Sequence, residues 1–514
     1  MPRRKKTIEI MDTTLRDGEQ TRGVSLTGDE KLTISKLLLD SVRVDRIEVA
    51  SAKVSEGERL SVSKIMSWAN SQKKGDRVEC LGFTDHKASV DWLLSAGCRT
   101  MNLLTKGSLR HLEGQLRKTP DKHLSDIQKT VEYAAGCGVH VNVYFEDWSN
   151  GMLDSPDYVN FLYTECSRLP FDRIMLPDTL GVFNPDQVYR FISDAVEKMP
   201  GMRIDFHGHN DYGCATANSL YAVRAGAQGI HCTLNGLGER AGNTSLDEVA
   251  VVILDHTDFT TRVNLKKLKE VSNLLEILTG LRISSNKPIV GDNVFTQTAG
   301  IHADGDKKAN LYESRLTPKR FGRDREYALG KLSGRANIEL NLRKLGLDLT
   351  DDLKKQLLEK VIELGDNKEM VTADDLPFLV SDLLETPESK SFEILNSVLV
   401  SSQGLPASAT VKVRYRDKEY EAQGRGNGGY DAFMHALRSV AHHFFFEIPL
   451  LADYEVHIPP GGKSDALVET TITWANGLRT RGVDSDQVMA AIEATSHMMN
   501  IMDRQPRKKA SKKK

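Results

Sequence analysis

Two histidines in the segment FHGHND carry the clearest chemical signal in this sequence. His207 and His209 are two residues apart, and on a β-strand two such residues face the same side. Both imidazoles can therefore point to one place and bind a metal ion together. An HxH pair alone is more often structural than ligating, so the interpretation depends on the side chains that neighbouring elements supply.

Short β-branched runs alternate with longer stretches of helical apolar spacing from Thr7 to about His256. The runs are TIEIMD, RIEVAS, VECLGF, TMNLLT, HVNVYFED, RIMLPDT, RIDFHGHND and GIHCTLNG. This alternation favours a parallel sheet with right-handed crossovers, and eight units over about 250 residues predict a (β/α)8 TIM barrel of class α/β. An open, doubly wound sheet is the alternative.

Polar side chains stand at the carboxyl ends of the predicted strands, where the active site of such a barrel lies. They include Arg16 and Asp17 after strand one, Glu146 after strand five, Thr179 after strand six and Asn243 after strand eight. Closure of the barrel would bring Asp17 and Asn243 beside the histidine pair. Two imidazole nitrogens, a carboxylate and an amide oxygen suit Zn2+, Mn2+ or Mg2+ and leave positions open for a substrate.

The composition is that of a folded globular protein. The chain has 514 residues, of which 39% are hydrophobic and 27% charged. Its 69 Lys and Arg nearly balance 71 Asp and Glu, so we expect no nucleic-acid partner, and the lack of a long apolar run predicts no membrane span. Six cysteines without a CxxC pair predict free thiols and a cytoplasmic location.

The chain changes character after the predicted barrel, which occupies residues 1–280. Residues 281–387 contain turn-rich linkers and one clear helix, DDLKKQLLEKVIELGD, and are interpreted as connecting subdomains. A βββα pattern then occurs twice and predicts an α+β domain at residues 388–502, followed by a disordered basic tail at 503–514. Such a duplication, with few polar groups placed for chemistry, suits ligand binding or dimerisation more than catalysis.

Four segments resemble a known enzyme family. MDTTLRDGEQTRGVSL, HGHND, LNGLGERAGNTSLDEV and FTQTAGIHADGDKKANLY are similar to signatures of the 2-isopropylmalate, homocitrate and citramalate synthases. LRDGEQTRGVS and YFEDWSNG resemble the citramalate synthase branch. The resemblance implies a Claisen-type condensation of acetyl-CoA with a 2-keto acid, followed by thioester hydrolysis, in a homodimer with a C-terminal regulatory domain.

The resemblance also implies roles for individual residues. Asp17, His207, His209 and Asn243 match the family's metal ligands. Arg16 matches a cation beside the developing oxyanion, and Glu146 the base that deprotonates the acetyl methyl, assisted by His302. The matching substrate-binding positions are Arg16, Leu81, Leu104, Tyr144 and Thr179, together with Asp304 and Tyr312 from a segment that reaches over the partner subunit's barrel.

The expected keto acid is pyruvate. Leu81, Leu104 and Tyr144 are bulky, and a distal carboxylate buried among them without a cation would be costly. An isopropyl group would need volume that Tyr144 fills, so the expected product is (R)-citramalate, on a pyruvate route to isoleucine. The alternatives are a 2-isopropylmalate synthase of leucine biosynthesis, which uses 2-oxoisovalerate, and a metal-dependent aldol lyase that does not use CoA.

Six C-terminal positions match the family's effector pocket. An apolar lining there suits a branched aliphatic side chain, so isoleucine is the expected inhibitor, with leucine as an alternative. Packing within a dimer core is the other interpretation, because apolar faces of paired strands are usually packed. The positions are Tyr430, Asp431, Leu451, Tyr454, Ile458 and Val468.

Overall fold

The computed structural model divides the chain into two compact units. The first runs through Thr296 and includes Tyr312–Glu326, and the second comprises Gln297–Leu311 and the chain from Tyr327 onward. The structure describes residues 6–309, 311–312, 314–345, 347, 349–366, 371, 376, 379–380, 391–402, 404–457 and 468–504.

Eight parallel strands form a closed barrel in the first unit. Each strand pairs with the next, and β8 pairs with β1, which confirms the predicted TIM barrel and excludes the open sheet. Each strand lies within one of the eight runs, except that β4 continues one residue further. The strands are β1 (Glu9–Asp12), β2 (Arg46–Ser51), β3 (Val78–Phe83), β4 (Thr100–Lys106), β5 (His140–Glu146), β6 (Ile174–Asp178), β7 (Ile204–Gly208) and β8 (Gly229–Cys232).

Helices connect these strands, and several begin at clear sequence signals. The side chain of Asn184 accepts a hydrogen bond from the backbone N–H of Gln187, whose side chain accepts one from the Asn184 N–H, and Pro185 occupies the first helical turn. The helices are α1 (Gly28–Lys36), α2 (Glu56–Ser71), α3 (Ala88–Ser95), α4 (Leu109–His111), α5 (Pro120–Gly136), α6 (Trp148–Asp154), α7 (Pro156–Cys166), α8 (Pro185–Lys198), α9 (Ala215–Ala225), α10 (Leu246–His256) and α11 (Leu268–Thr279).

The first unit extends past the predicted boundary at residue 280. Ile289, Val290 and Phe295 are buried in the same hydrophobic core as the barrel helices, and Phe321 joins this core from the returning segment. Burial of four large apolar side chains makes the segment part of the barrel unit.

The connecting region holds more regular structure than the sequence predicts. Besides the expected helix α14 (Asp351–Asp366), it contains α12 (Gly300–Ala309), α13 (Arg335–Leu345) and the short strands β9 (Thr296–Gln297) and β10 (Glu326–Tyr327). The aliphatic side chains of α13 and α14, among them Ile338 and Leu357, share a small core of their own. The turn-rich composition of this region concealed α12 and α13 but not α14.

The C-terminal region confirms the predicted βββα duplication. The strands β11 (Phe392–Ser402), β12 (Leu405–Tyr415) and β13 (Lys418–Gly426) form one antiparallel sheet, followed by α15 (Gly429–Ser439). The strands β14 (Leu451–His457), β15 (Val468–Trp474) and β16 (Arg479–Asp484) form a second, followed by α16 (Gln487–Arg504).

The last helix is longer than predicted. It includes residues 503 and 504, which the sequence assigns to the basic tail, because Asp503 accepts hydrogen bonds from the Tyr415 hydroxyl and from Arg416 at 3.0 Å. Residues 505–514 lie outside the described residues. Within the described part of the chain, no helix is both long enough and apolar enough to cross a membrane.

In both halves of the duplication, the helix packs closely against its sheet where a glycine on a strand faces alanines on the helix. In the first half a Cβ on Gly424 would overlap the backbone of Ala432 and Ala436 in α15. In the second half a Cβ on Gly482 would overlap the backbone around Ala490 and Ala494 in α16. A glycine on the strand and small residues on the helix therefore permit this close approach in each half.

We predict that Gly424→Ala and Gly482→Ala each destabilise the C-terminal region by about 1 to 3 kcal/mol, the usual cost of overpacking. Thermal unfolding of the full chain followed by calorimetry measures the effect. Gly114→Ala is the control, since nothing lies within 4 Å of its Cβ position and its backbone is not in the left-handed region. An equal shift of the unfolding midpoint in all three variants would contradict the close-docking interpretation.

Candidate active site

A cavity of about 180 Å3 opens at the carboxyl ends of the barrel strands. The structure brings to it most of the barrel residues that the sequence singled out, although they are spread over more than two hundred positions. The lining residues are Arg16, Asp17, Gln20, Leu81, Leu104, Tyr144, Glu146, Pro177, Thr179, His207, His209 and Glu239.

Asp17, His207 and His209 form a cluster that could hold a metal ion. One potential ligand atom from each lies within 4.8 Å of the others, and all three residues are buried. His207 Nε2 is 3.3 Å from His209 Nε2 and 3.3 Å from Asp17 Oδ2. His207 is the penultimate residue of β7, and His209, just after the strand, forms an isolated β-bridge with Asn243.

Each of the four predicted ligands has a buried polar atom without a hydrogen-bond partner. These atoms are Asp17 Oδ1, His207 Nδ1, His209 Nδ1 and Asn243 Oδ1. The Asn243 amide donates through Nδ2 to the Leu237 carbonyl at 2.9 Å, which orients its oxygen. Unpaired buried polar atoms are costly, and the two unpaired oxygens, Asp17 Oδ1 and Asn243 Oδ1, fit ligation of a cation. The imidazoles approach each other and Asp17 through Nε2, so Nε2 is the ligating atom that this geometry favours.

The electrostatics of the cluster also fit metal binding. Burial disfavours the charged form of Asp17, but Arg16 and the two histidines outweigh it and hold the pKa of that carboxyl well below its usual range. Burial, together with His207, lowers the pKa of His209 to about 3. A carboxylate and a neutral imidazole are the protonation states in which these side chains coordinate metals.

Arg16 is held rigidly beside this cluster. Its Nε donates to Glu48 Oε2 at 2.5 Å, and its Nη1 donates to Asp17 Oδ2 at 3.0 Å. Glu48 is fully buried and also accepts a hydrogen bond from Asn102 Nδ2 at 2.7 Å. The sequence shows Glu48 as a carboxylate inside a strand, but not that it orients Arg16, because that partnership joins β2 to the loop after β1.

Glu146 has a cationic neighbour that the sequence reasoning missed. The Lys106 ammonium donates to Glu146 Oε2, and His111 Nδ1 lies 3.8 Å from Glu146 Oε1. Lys106 is the last residue of β4, one position beyond the predicted run, and only 6% of it is exposed. The sequence signal that could have indicated this neighbour is the position of Lys106 directly after the run predicted as the fourth strand.

The remaining wall of the cavity is apolar. Leu81 and Tyr144 form a small cluster with Met11 and Met175, and Leu104 packs against it. Thr179 is tied to the neighbouring loop, because its Oγ1 accepts from the Asp147 N–H at 2.9 Å. The cavity therefore combines a polar, metal-competent side with an aliphatic and aromatic side.

Three predicted site residues lie beyond the barrel strands. His302 and Asp304 belong to α12, where Asp304 accepts from Lys308 Nζ at 2.6 Å. Tyr312 follows the helix and is 43% exposed. Their place in a partner subunit's site stays a prediction.

The expected effector residues lie in the duplicated region. Tyr430 and Asp431 stand in the first turn of α15, and the rings of Tyr430 and Tyr454 are 5.4 Å apart. Tyr454 pairs with Ile472, which is on the same buried face of β15 as Val468. Leu451 opposite Trp474 is 43% exposed, and Ile458 lies outside the described residues.

Three family models match the chain in succession. The model HMGL-like matches residues 7–275, the model "Homocitrate synthase post-HMGL domain-like" matches 289–369, and the model "LeuA allosteric (dimerisation) domain" matches 370–502. The first covers the barrel and every predicted metal ligand.

Curated relatives match over nearly the whole chain. The (R)-citramalate synthase CimA of Methanocaldococcus jannaschii is 34% identical over 96% of this chain and 99% of its own length. A "Probable 2-isopropylmalate synthase" of Methanopyrus kandleri is 35% identical over 97% of this chain and 99% of its own length. The chain therefore belongs to the HMGL-like family, in the group that contains the (R)-citramalate and 2-isopropylmalate synthases.

Proposed function

We propose that the chain condenses acetyl-CoA with pyruvate to give (R)-citramalate and CoA. The observation that carries the proposal is the cavity in which Arg16 and the cluster of Asp17, His207 and His209 face the apolar wall of Tyr144. The full-length similarity to an (R)-citramalate synthase supports it. The six free cysteines support a reducing, cytoplasmic setting.

The polar side of the cavity would bind the keto group. Asp17, His207, His209 and Asn243 would hold a divalent ion, which supplies Lewis-acid polarisation of a carbonyl when bound. Zn2+ and Mn2+ suit the mixed nitrogen and oxygen donors, and Mg2+ is the remaining candidate. Arg16, fixed by Glu48, directs its charge toward the oxygen that becomes an alkoxide, without reorganising during the reaction.

Glu146 is the proposed base. It accepts a proton from the methyl group of acetyl-CoA, the methyl carbon then bonds to the keto carbon of pyruvate, and water hydrolyses the thioester to release the CoA thiol. The Lys106 ammonium holds Glu146 Oε2, which leaves Oε1 for the proton. A positioned carboxylate of this kind contributes typically about 10^2 to 10^4-fold to such a step.

We further propose that a homodimer completes the site, with His302 assisting Glu146 of the partner and Asp304 and Tyr312 contacting its substrates. The match to a LeuA allosteric (dimerisation) domain supports a dimer. Ile301 is 73% exposed and Leu311 70% exposed, so the segment around His302 offers apolar surface that a second chain would cover.

We predict that CoA thiol release from acetyl-CoA is fastest with pyruvate in a panel of keto acids. The walls formed by Leu81 and Tyr144 leave little room for an isopropyl group, so kcat/KM for pyruvate should exceed that for 2-oxoisovalerate by about tenfold or more. A higher value for 2-oxoisovalerate would identify a 2-isopropylmalate synthase. Cleavage of a hydroxy acid without CoA would identify the aldol lyase.

We predict that Asp17→Ala, His207→Ala and His209→Ala each lower the bound divalent metal per chain and abolish thiol release, because water replaces a lost ligand only weakly. Elemental mass spectrometry of the purified chain measures the metal. His140→Ala is the matched control, since its imidazole is 70% exposed at the opposite end of β5. Full metal content and activity in the three variants would refute the site.

We propose isoleucine as a feedback inhibitor that binds the duplicated region, with leucine as the alternative. The contact between Tyr430 and Tyr454 joins the two halves of the duplication, so a ligand bound there would bias how the halves pack. An effector that prefers the less active state must inhibit by linkage.

We predict that Tyr454→Ala weakens isoleucine binding by about tenfold, because it removes an aromatic wall of the proposed pocket. Calorimetry on the full chain measures the dissociation constant, and the concentration of isoleucine that halves thiol release should rise in parallel. Tyr189→Ala is the control, as that residue is 47% exposed on α8. If neither isoleucine nor leucine binds the unmodified chain, the effector proposal is wrong.

A further inference from the structure

A chain of buried hydrogen bonds ends on Tyr144 beneath the cavity. The Tyr144 hydroxyl lies 2.9 Å from His231 Nδ1, and His231 Nε2 lies 3.2 Å from Asp205 Oδ2. Tyr144 is 2% exposed, His231 1% and Asp205 0%. The three side chains come from β5, β8 and β7, so the barrel assembles them across three strands.

The direction of each hydrogen bond in this row follows from Asp205, the member farthest from Tyr144. Arg173 Nη1 donates to both oxygens of Asp205 at 3.1 Å, and Arg46 donates to the same carboxylate, which therefore accepts only. The His231 Nε2–H then donates to Asp205. The lone pair on Nδ1 accepts from the Tyr144 hydroxyl, which fixes the rotation of that hydroxyl.

The backbone makes room for this arrangement at Gly229. Gly229 pairs with Asp205 across β8 and β7, and a Cβ on it would overlap the Asp205 carboxylate. The absence of a side chain at this strand position lets the carboxylate reach His231 inside the barrel. The hydrogen-bonded chain is therefore built into the strand register.

The Tyr144 ring occupies the boundary between this chain and the cavity. It meets the His231 ring edge to face at 5.4 Å and the His207 ring at 6.1 Å, and the Arg16 guanidinium lies 5.9 Å from its centroid. The same ring lines the cavity beside Leu81. A displacement of the ring would change the space beside the proposed metal cluster.

We propose that His231 and Asp205 are positioning residues that hold the Tyr144 ring and thereby set the chain length of the 2-keto acid that the cavity accepts. The inference rests on the proposed function, because the wall that Tyr144 forms would contact the side chain of the keto acid. His231 and Asp205 act through Tyr144 and do not line the cavity themselves.

The test compares kcat/KM for pyruvate and for 2-oxobutyrate, which differ by one methylene, in the full chain. Tyr144→Phe keeps the ring but removes the hydroxyl, and His231→Phe keeps a ring of similar size but removes the acceptor. We expect each to lower the preference for pyruvate about tenfold, and the double variant to lower it no further, since both break one hydrogen bond. His140→Phe, at an exposed position, is the control.

Metal content distinguishes positioning from damage to the metal cluster, because His231 also contacts the His207 ring at 5.6 Å. We expect the metal content to be unchanged in all four variants.

A preference for pyruvate that stays constant while kcat/KM falls equally for both acids would overturn the inference, as would additive effects in the double variant. If His231→Phe does not fold, an unchanged preference in Tyr144→Phe alone overturns it. A wild-type chain that releases no thiol with any keto acid would overturn the proposed function instead, and the inference with it.

Discussion

Charge compensation inside the barrel is the constraint on which the rest of the structure depends. Arg46 on β2 binds Glu79 on β3 and Asp205 on β7, and Arg173, the residue before β6, binds the same Asp205. Removing one partner of such a buried pair leaves an uncompensated charge, which is strongly destabilising. Strands that are distant in sequence are therefore held in one register, since a slip of one residue would turn these charges outward.

Charge compensation also holds the candidate site, at the carboxyl ends of the strands. Glu48 compensates Arg16, which in turn compensates Asp17, so the cation and the metal-competent carboxylate hold each other in place. Burial, together with the neighbouring His207, lowers the pKa of His209 and keeps that imidazole neutral and available. Ionic contacts fix the polar side of the cavity, and packing of Leu81, Tyr144 and Met175 fixes the apolar side. The residues that would bind the metal and the residues that shape the apolar wall are therefore held in place by different interactions.

In the core of the duplicated C-terminal region, close packing of backbone and apolar side chains takes the place that ion pairs have inside the barrel. Gly424 and Gly482 each let a helix approach its sheet, and Phe433 and Trp474 fill a core that contains members of both halves. The two regions are therefore stabilised differently, by directional ionic contacts inside the barrel and by close, non-directional packing in the C-terminal core.

Local pattern was enough to predict the eight strands, the βββα duplication and the polar strand ends. Strand alternation and helix spacing are properties of neighbouring residues, and parallel strands place their carboxyl ends at one mouth. His207 and His209 were visible because their own spacing puts them on one side. Lys106 beside Glu146, Glu48 beneath Arg16, and Asp205 and His231 beneath Tyr144 were decided only by the tertiary structure. Each of these partnerships joins side chains from different strands or from the loop that follows a strand, and which side chains meet there depends on how the strands are staggered when the barrel closes.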